Sequence, residues 1–345
     1  MQAQVMNAAT VEAQPKPSSS AQTLQSLLDA NLNLPPEYRG GLSNHLPMAL
    51  QALQSLGAGA ERMQAFHATY SQRFERRKAL PLAEPAADWR LLRGQGDERT
   101  HASLVATFEQ AIAREGESVV LRRLLPDLLQ GVAGAAFHGV IRTAHAVQSG
   151  HRGELARALA YWAWRWQDLT LPDPVGVPLT FEDWSERLVN ESSPERFAAP
   201  SISRRMALAT ASPVYLSLGA ALAPQADLLQ CLAGLALGTY LKSGNFTVLH
   251  MITGLRAVRV LLPWVEDAQA LHPIIVRAFT AAYLAAQIKP MAMQPVSASP
   301  SWPDVIAAAI ASDDDHVIKL VHACREEFSA YGDARYLEAA ALATA

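Results

Sequence analysis

Apolar residues recur along most of this chain at spacings of three and four, the period of a helix face rather than of a strand. The pattern predicts helices near 21–31, 45–57, 59–78, 99–115, 119–130, 132–149, 152–168, 180–190 and 201–222. It predicts more near 226–242, 246–262, 270–287, 301–310, 313–329 and 333–343. Ala, Leu, Gln, Glu and Arg, all good helix formers, dominate these stretches. No run of alternating β-branched residues between Asn-Gly or Asp-Gly turns announces a hairpin. Proline-rich breaks at 81–85, 172–178 and 290–303 are short enough to be loops on one body. No self-similar period marks a solenoid. The expected fold is all-α, a single compact multi-helix domain over 21–345. Residues 1–20 read as a disordered tail, too poor in apolar side chains to offset the entropy of ordering.

Two stretches are apolar nearly all round, the mark of burial on most sides. In 124–147 the few polar residues are Asp127, Gln130, His138, Arg142, Thr143 and His145. In 246–262, His250 interrupts Phe246, Val248, Leu249, Met251 and Ile252. His138 and His145, seven apart, fall two turns apart on one face. A buried imidazole needs partners for both nitrogens, from hydrogen bonds or from a metal. For a lone core histidine the hydrogen-bonded state is the commoner of the two.

Composition narrows the classes. Half of the residues are hydrophobic, enough for a sizeable core, and 29 basic against 32 acidic residues give a net charge of −3. That balance offers no basic patch for nucleic acid. Two cysteines, Cys231 and Cys324, are too few for a disulfide framework or a thiolate metal site, so a reducing, cytoplasmic setting is expected. The first twenty residues lack the basic start and apolar run of a signal peptide. The apolar stretches 206–223, 228–241 and 246–265 are interrupted by Pro213, Pro224, Asp227, Gln230, Arg256 and Arg259. They read as buried helices, with no membrane span. So apolar a surface is compatible with a homodimer, although no interface is specified.

The chemistry on offer is rich in imidazole. His45 lies in Gly41-Leu42-Ser43-Asn44-His45-Leu46-Pro47, and His316 in Asp313-Asp314-Asp315-His316-Val317-Ile318-Lys319. The three aspartates make a good helix start. Val317, Leu320, Val321, Cys324 and Phe328 form the apolar stripe of that helix, and Lys319 points away from its centre, so the wheel expects it in solvent. His67, His101 and His151 read as surface residues, His272 as the start of a helix, and His322 as lying on another face than His316. Gly131-Val132-Ala133-Gly134 lacks the glycine pattern and preceding strand of a dinucleotide site. There is no Walker loop, Gly-x-Ser-x-Gly elbow, His-Glu-x-x-His pair or paired Glu-x-x-His motif.

Four segments carry a resemblance: Asn44-His45-Leu46-Pro47 followed by Leu56-Gly57-Ala58; 136–141 around His138; 246–254 around His250; and Asp315-His316-Val317-Ile318-Lys319. In their order and spacing the chain resembles the questin oxidase-like family, from about Ala30 to the C-terminus. The resemblance implies oxidative opening of polycyclic aromatic quinones by a non-haem iron oxygenase. It implies Fe(II) held by His45, His138, His250 and His316, with Lys319 carrying a CO2-derived carbamate and dioxygen as co-substrate. Lys242 is the alternative lysine. Asp313, Asp314 or Asp315 would orient His316, and Thr247 or Thr253 would hydrogen-bond the carbamate or dioxygen. Phe137, Phe246, Trp162 and Trp264 are candidates to line a dry pocket for a small aromatic substrate. Descriptions of the family also invoke an NADPH-dependent Baeyer–Villiger-type monooxygenation; lacking a dinucleotide fold, such a route implies a partner reductase or a site of another kind. A non-catalytic helical protein that binds an aromatic ligand is the reading from another class.

Overall fold

The computed structural model describes residues 19–74, 83–169, 177–192, 196–288 and 301–345. Its helices are α1 (Ser19–Asn31), α2 (Leu46–Ser55), α3 (Ala60–Ser71), α4 (Glu98–Glu115), α5 (Glu117–Gln130), α6 (His138–Ser149), α7 (Arg152–Trp164) and α8 (Phe181–Glu191). They continue as α9 (Ile202–Ala209), α10 (Pro213–Leu218), α11 (Leu228–Ser243), α12 (Phe246–Leu261), α13 (His272–Ala286), α14 (Trp302–Ala311), α15 (Asp315–Tyr331) and α16 (Arg335–Thr344). The only sheet among the described residues pairs β1 (Glu37–Tyr38) with β2 (Leu42–Ser43), antiparallel, just before His45. The all-α expectation holds, as a single compact helical domain with one continuous buried core.

Side chains at the helix starts explain many of the boundaries. Asp97, Thr180, Ser201, Ser212, Asn245, Ser301 and Asp314 each accept a hydrogen bond from a first-turn backbone N–H. Three departures from the sequence pattern follow from local chemistry. The predicted helix 201–222 divides into α9 and α10, because Pro213 cannot continue a helix but suits the first position of a new one. Ser19 and Ser20 are already helical, so α1 starts inside the stretch expected to be a tail. The rest of that tail, most of the proline-rich breaks and the run Glu75-Arg76-Arg77-Lys78 lie outside the described residues.

The third departure matters most. The apolar run 124–147 is not one helical stretch, and the helix expected from 132 starts only at His138. Between α5 and α6, Ala135, Ala136 and Phe137 take positive φ of 49°, 56° and 70°. Side chains with a Cβ resist that region, by roughly 1–2 kcal/mol per residue. Gly139 follows, and a Cβ there would fall 2.6 Å from the Trp162 ring, so its absence lets α7 approach α6.

Four helices form a closed ring in which α2 packs on α6, α6 on α12, α12 on α15 and α15 on α2. Around it, α1 and α3 cover α2, α7 joins α6 to α4, α11 and α13 flank α12, and α16 covers α15. The stretch Phe246–Trp264, which contains α12, is long and apolar enough to cross a membrane, and 72% of its most apolar window is buried inside the protein. It is the central helix of the core.

Candidate metal centre

Each helix of the ring delivers one histidine at or near its N-terminus. His45 is the residue before α2, His138 the first of α6, His250 the fifth of α12 and His316 the second of α15. Nε2 of His45 lies 2.7 Å from Nε2 of His138, and those rings stack with centroids 4.7 Å apart. Ring centroids are 4.9 Å apart for His138 and His250, 5.5 Å for His250 and His316, and 4.8 Å for His45 and His316. The four imidazoles predicted from widely separated segments therefore meet in one place.

The opposite edge of each ring is anchored. His138 Nδ1–H donates to the Ala135 carbonyl at 2.5 Å, and His250 Nδ1–H to the Phe246 carbonyl at 2.8 Å. A carbonyl only accepts, so the proton of both rings sits on Nδ1 and the Nε2 lone pair is left free. The left-handed run supplies this geometry for His138, because it turns the Ala135 carbonyl back toward the ring. His45 Nδ1–H donates to the Asp315 carboxylate, and His316 Nδ1 lies 3.3 Å from the same oxygen. Burial, with the nearby Lys319 charge, pushes the pKa of His45 down to about 3. Burial and the neighbouring imidazoles likewise hold His138 and His250 well below the ordinary value. These rings are neutral at physiological pH, as a metal ligand must be.

Asp315 is the hub. It faces His45 and His316 through Oδ2, accepts from Arg73 Nη1 at 3.0 Å through Oδ1, and lies 3.8 Å from Lys319 Nζ. Burial alone would raise its pKa; the hydrogen bond from His45 and the Lys319 charge outweigh that and hold it well below the usual carboxylate range. Two helix N-termini meet here, those of α15 and α2, and their partial positive charge favours an anion. Lys319 is buried, against the expectation from the helical wheel. Its helix is enclosed by α2 and α12 as well as α14 and α16, so a position off the main apolar stripe still meets protein. Burial lowers its pKa to about 8, opposed by Asp315. Lys242, the alternative, is exposed at the end of α11.

The remaining candidates divide. Phe246, 53% exposed, stands over the cluster with its ring 4.7 Å from both His250 and His316. Thr253 donates its hydroxyl to the Leu249 carbonyl of its own helix at 3.1 Å, and Thr247 accepts from Arg205 at 3.4 Å. Trp162 is fully buried under Gly139 and bonds the Gly131 carbonyl, while Trp264 lies beyond the far end of α12; neither is placed to line a pocket at the cluster. His145, two turns along α6 from His138, bonds Gln51 instead. His101 and His151, expected on the surface, are buried: His101 packs on Trp164, and His151 caps α7 and pairs with Asp29. His272 opens α13 as expected. Sequence reasoning missed Arg73, and Tyr70, whose hydroxyl accepts the His45 backbone N–H at 3.1 Å; nothing in the local sequence of either marked it.

The donor set fits a transition-metal ion. Among the described residues, His45, Asp315 and His316 offer ligand atoms all within 4.8 Å of one another, a tighter set that does not take in His138 or His250. Nε2 of His316 is buried without a hydrogen-bond partner, and the two facing Nε2 lone pairs of His45 and His138 repel unless a cation or proton lies between them. Imidazole suits Fe, Zn, Cu and Ni alike, so the donors admit iron without selecting it.

A helical ring closing on four anchored imidazoles defines an all-α protein with a buried polyhistidine centre. The chain belongs to the questin oxidase-like family, which it matches over residues 42–324, a span that includes all four histidines and Lys319. Its general class is thereby oxidoreductase. No curated protein matches the chain.

Proposed function

We propose that this chain is a non-haem iron oxygenase that oxidatively cleaves or oxygenates a polycyclic, quinone-like aromatic. The observation that carries the reading is the meeting of four imidazoles with neighbouring ring centroids 4.7–5.5 Å apart, three of them held through Nδ1, in a chain of this family. His45, His138, His250 and His316 would hold the ion, with Lys319 beside them. Bound Fe(II) would supply dioxygen binding and activation, with an open position for it.

The protein's own part is orientation and exclusion. Asp315 and the carbonyls of Ala135 and Phe246 fix the tautomers and ring angles, the outer-shell arrangement that sets ligand basicity. The neutral form of the buried Lys319 amine can add CO2, forming an N–C bond and releasing one proton, to give an anionic oxygen donor that offsets part of the charge of the ion. Phe246 offers an exposed aromatic face beside His250 and His316, on which a flat substrate can stack. An NADPH-dependent Baeyer–Villiger-type route would instead draw electrons from a partner reductase, since no parallel sheet for a dinucleotide is present among the described residues.

Anaerobic purification without a metal-chelating tag, followed by metal analysis, tests the proposal. The expected result is about one iron per chain, lost in His138→Ala and His250→Ala with the helical signal retained. Dioxygen uptake should then follow addition of an anthraquinone-type substrate without any nicotinamide. Stoichiometric iron retained in both variants would sink the assignment; uptake only with NADPH and a reductase would favour the monooxygenase. Ligand binding with neither iron nor dioxygen uptake would leave a binding protein.

A further inference from the structure

Behind the cluster lies a small cavity between α12, α13 and the left-handed turn before α6. Its volume is about 10 Å3, and every lining residue is apolar, including Phe137, Met251, Gly254, Val258, Ala278 and Phe279. That is about the space one water-sized molecule needs, but water also needs two to four polar partners, and these walls offer none. The space suits a small apolar molecule of about that size.

Its position is tied to the histidines. Phe137 immediately precedes His138, Met251 immediately follows His250, and Gly254 lies one helical turn beyond His250 on the same face. A Cβ on Gly254 would fall 2.9 Å from Cγ of the Phe137 ring, so the glycine is what lets this ring take its place. The positive φ of Phe137 sets the direction of that ring, and a strained backbone persists only where its surroundings enforce it. One phenyl ring is thus both a wall of the cavity and the neighbour of a candidate ligand.

We infer that this cavity is a dioxygen-binding site from which the gas reaches the histidine cluster past Phe137. The inference rests on the oxygenase reading for the identity of the gas, but not for the existence of the site. Xenon, an apolar probe of similar size, tests the site directly on the full chain stripped of metal. One xenon atom bounded by Phe137 and Val258 is expected in crystals under xenon pressure. It should be lost in Ala278→Val, whose added methyl groups fill the space, and in Val258→Ile should the first variant fold poorly. No xenon in the unaltered protein, or undiminished occupancy in a folded filled variant, overturns the site.

With iron-loaded protein, the filled variant should raise KM for dioxygen about fivefold while kcat and KM for the aromatic stay within about twofold. Xenon binding with an unchanged KM for dioxygen overturns the delivery role. Absence of dioxygen uptake in the unaltered protein overturns the oxygenase reading and the delivery role together, while the xenon result still decides the cavity.

Discussion

Replacing the Asp315 carboxylate by an amide of nearly the same shape removes the anion that two of the four imidazoles face. Asp315→Asn should weaken metal binding by about 10- to 100-fold, as loss of such outer-shell partners does elsewhere. Equilibrium dialysis against a competing chelator measures it; unchanged affinity would mean that packing alone orients His45 and His316. A second residue links burial to acid sensitivity. Burial, with Arg142 next in importance, pushes His101 from the ordinary 6.5 down to about 3. Between those values the unfolded chain binds a proton that the folded chain refuses, so the stabilisation is complete above pH 6.5 and declines as pH falls toward 3. The slope is at most about 1.4 kcal/mol per pH unit. His101→Leu should flatten the fall in unfolding free energy between pH 6 and 4; an unaltered slope would show that other buried groups carry it. At this scale His138 and His250 were legible because each opens or interrupts an apolar helix, while the set of four with His45 and His316 came from the family resemblance. Lys319 was misplaced by the helical wheel, which registers one partner face of a helix enclosed on several, and His101 was taken for a surface residue although it packs on Trp164.

The turn between α5 and α6 is a device that period-counting passes over. Its residues are apolar and mostly small, so the helical pattern runs through them unbroken while the backbone leaves the helix. Ala136, at φ 56°, is held left-handed against its own preference. Ala136→Gly relieves that strain at some entropic cost. It should leave the thermal midpoint unchanged or raise it by about 1–2 °C; a clear fall would show that the alanine methyl makes a packing contact outweighing the strain. Gly139→Ala tests the α6–α7 contact. Its methyl would meet the Trp162 ring, and unfolding in urea should show a loss of about 1–3 kcal/mol. The start of α15, by contrast, was readable from its capping aspartates alone, with Asp314 in the capping position.

Taken whole, the ring joins helices from opposite ends of the chain around a common set of candidate donors, so a metal bound there would stabilise the fold. A ligand that binds only the folded state stabilises it, by about 4 kcal/mol at a thousand times its dissociation constant. Removing metal with a chelator should therefore lower the thermal midpoint by several degrees and leave the far-ultraviolet spectrum below the transition unchanged. An identical midpoint with and without metal would separate the histidines from the stability of the ring. The topology also has its cost. Four helices that begin at one end can neighbour one another only if the segments between them run back, and α3–α5, α7–α11 and α13–α14 supply those returns.

Periodicity and composition by themselves determined that the chain is helical, that it has one core, and that histidines sit inside its apolar helices, because those properties depend on spacing and residue type. Tertiary structure alone decided that Asp315, rather than either aspartate before it, faces two histidines. It also decided that Lys319 is buried and that a strained turn aims a carbonyl at His138. Each of these depends on which faces meet across long stretches of chain, and a single helix carries no record of the partner it will pack against.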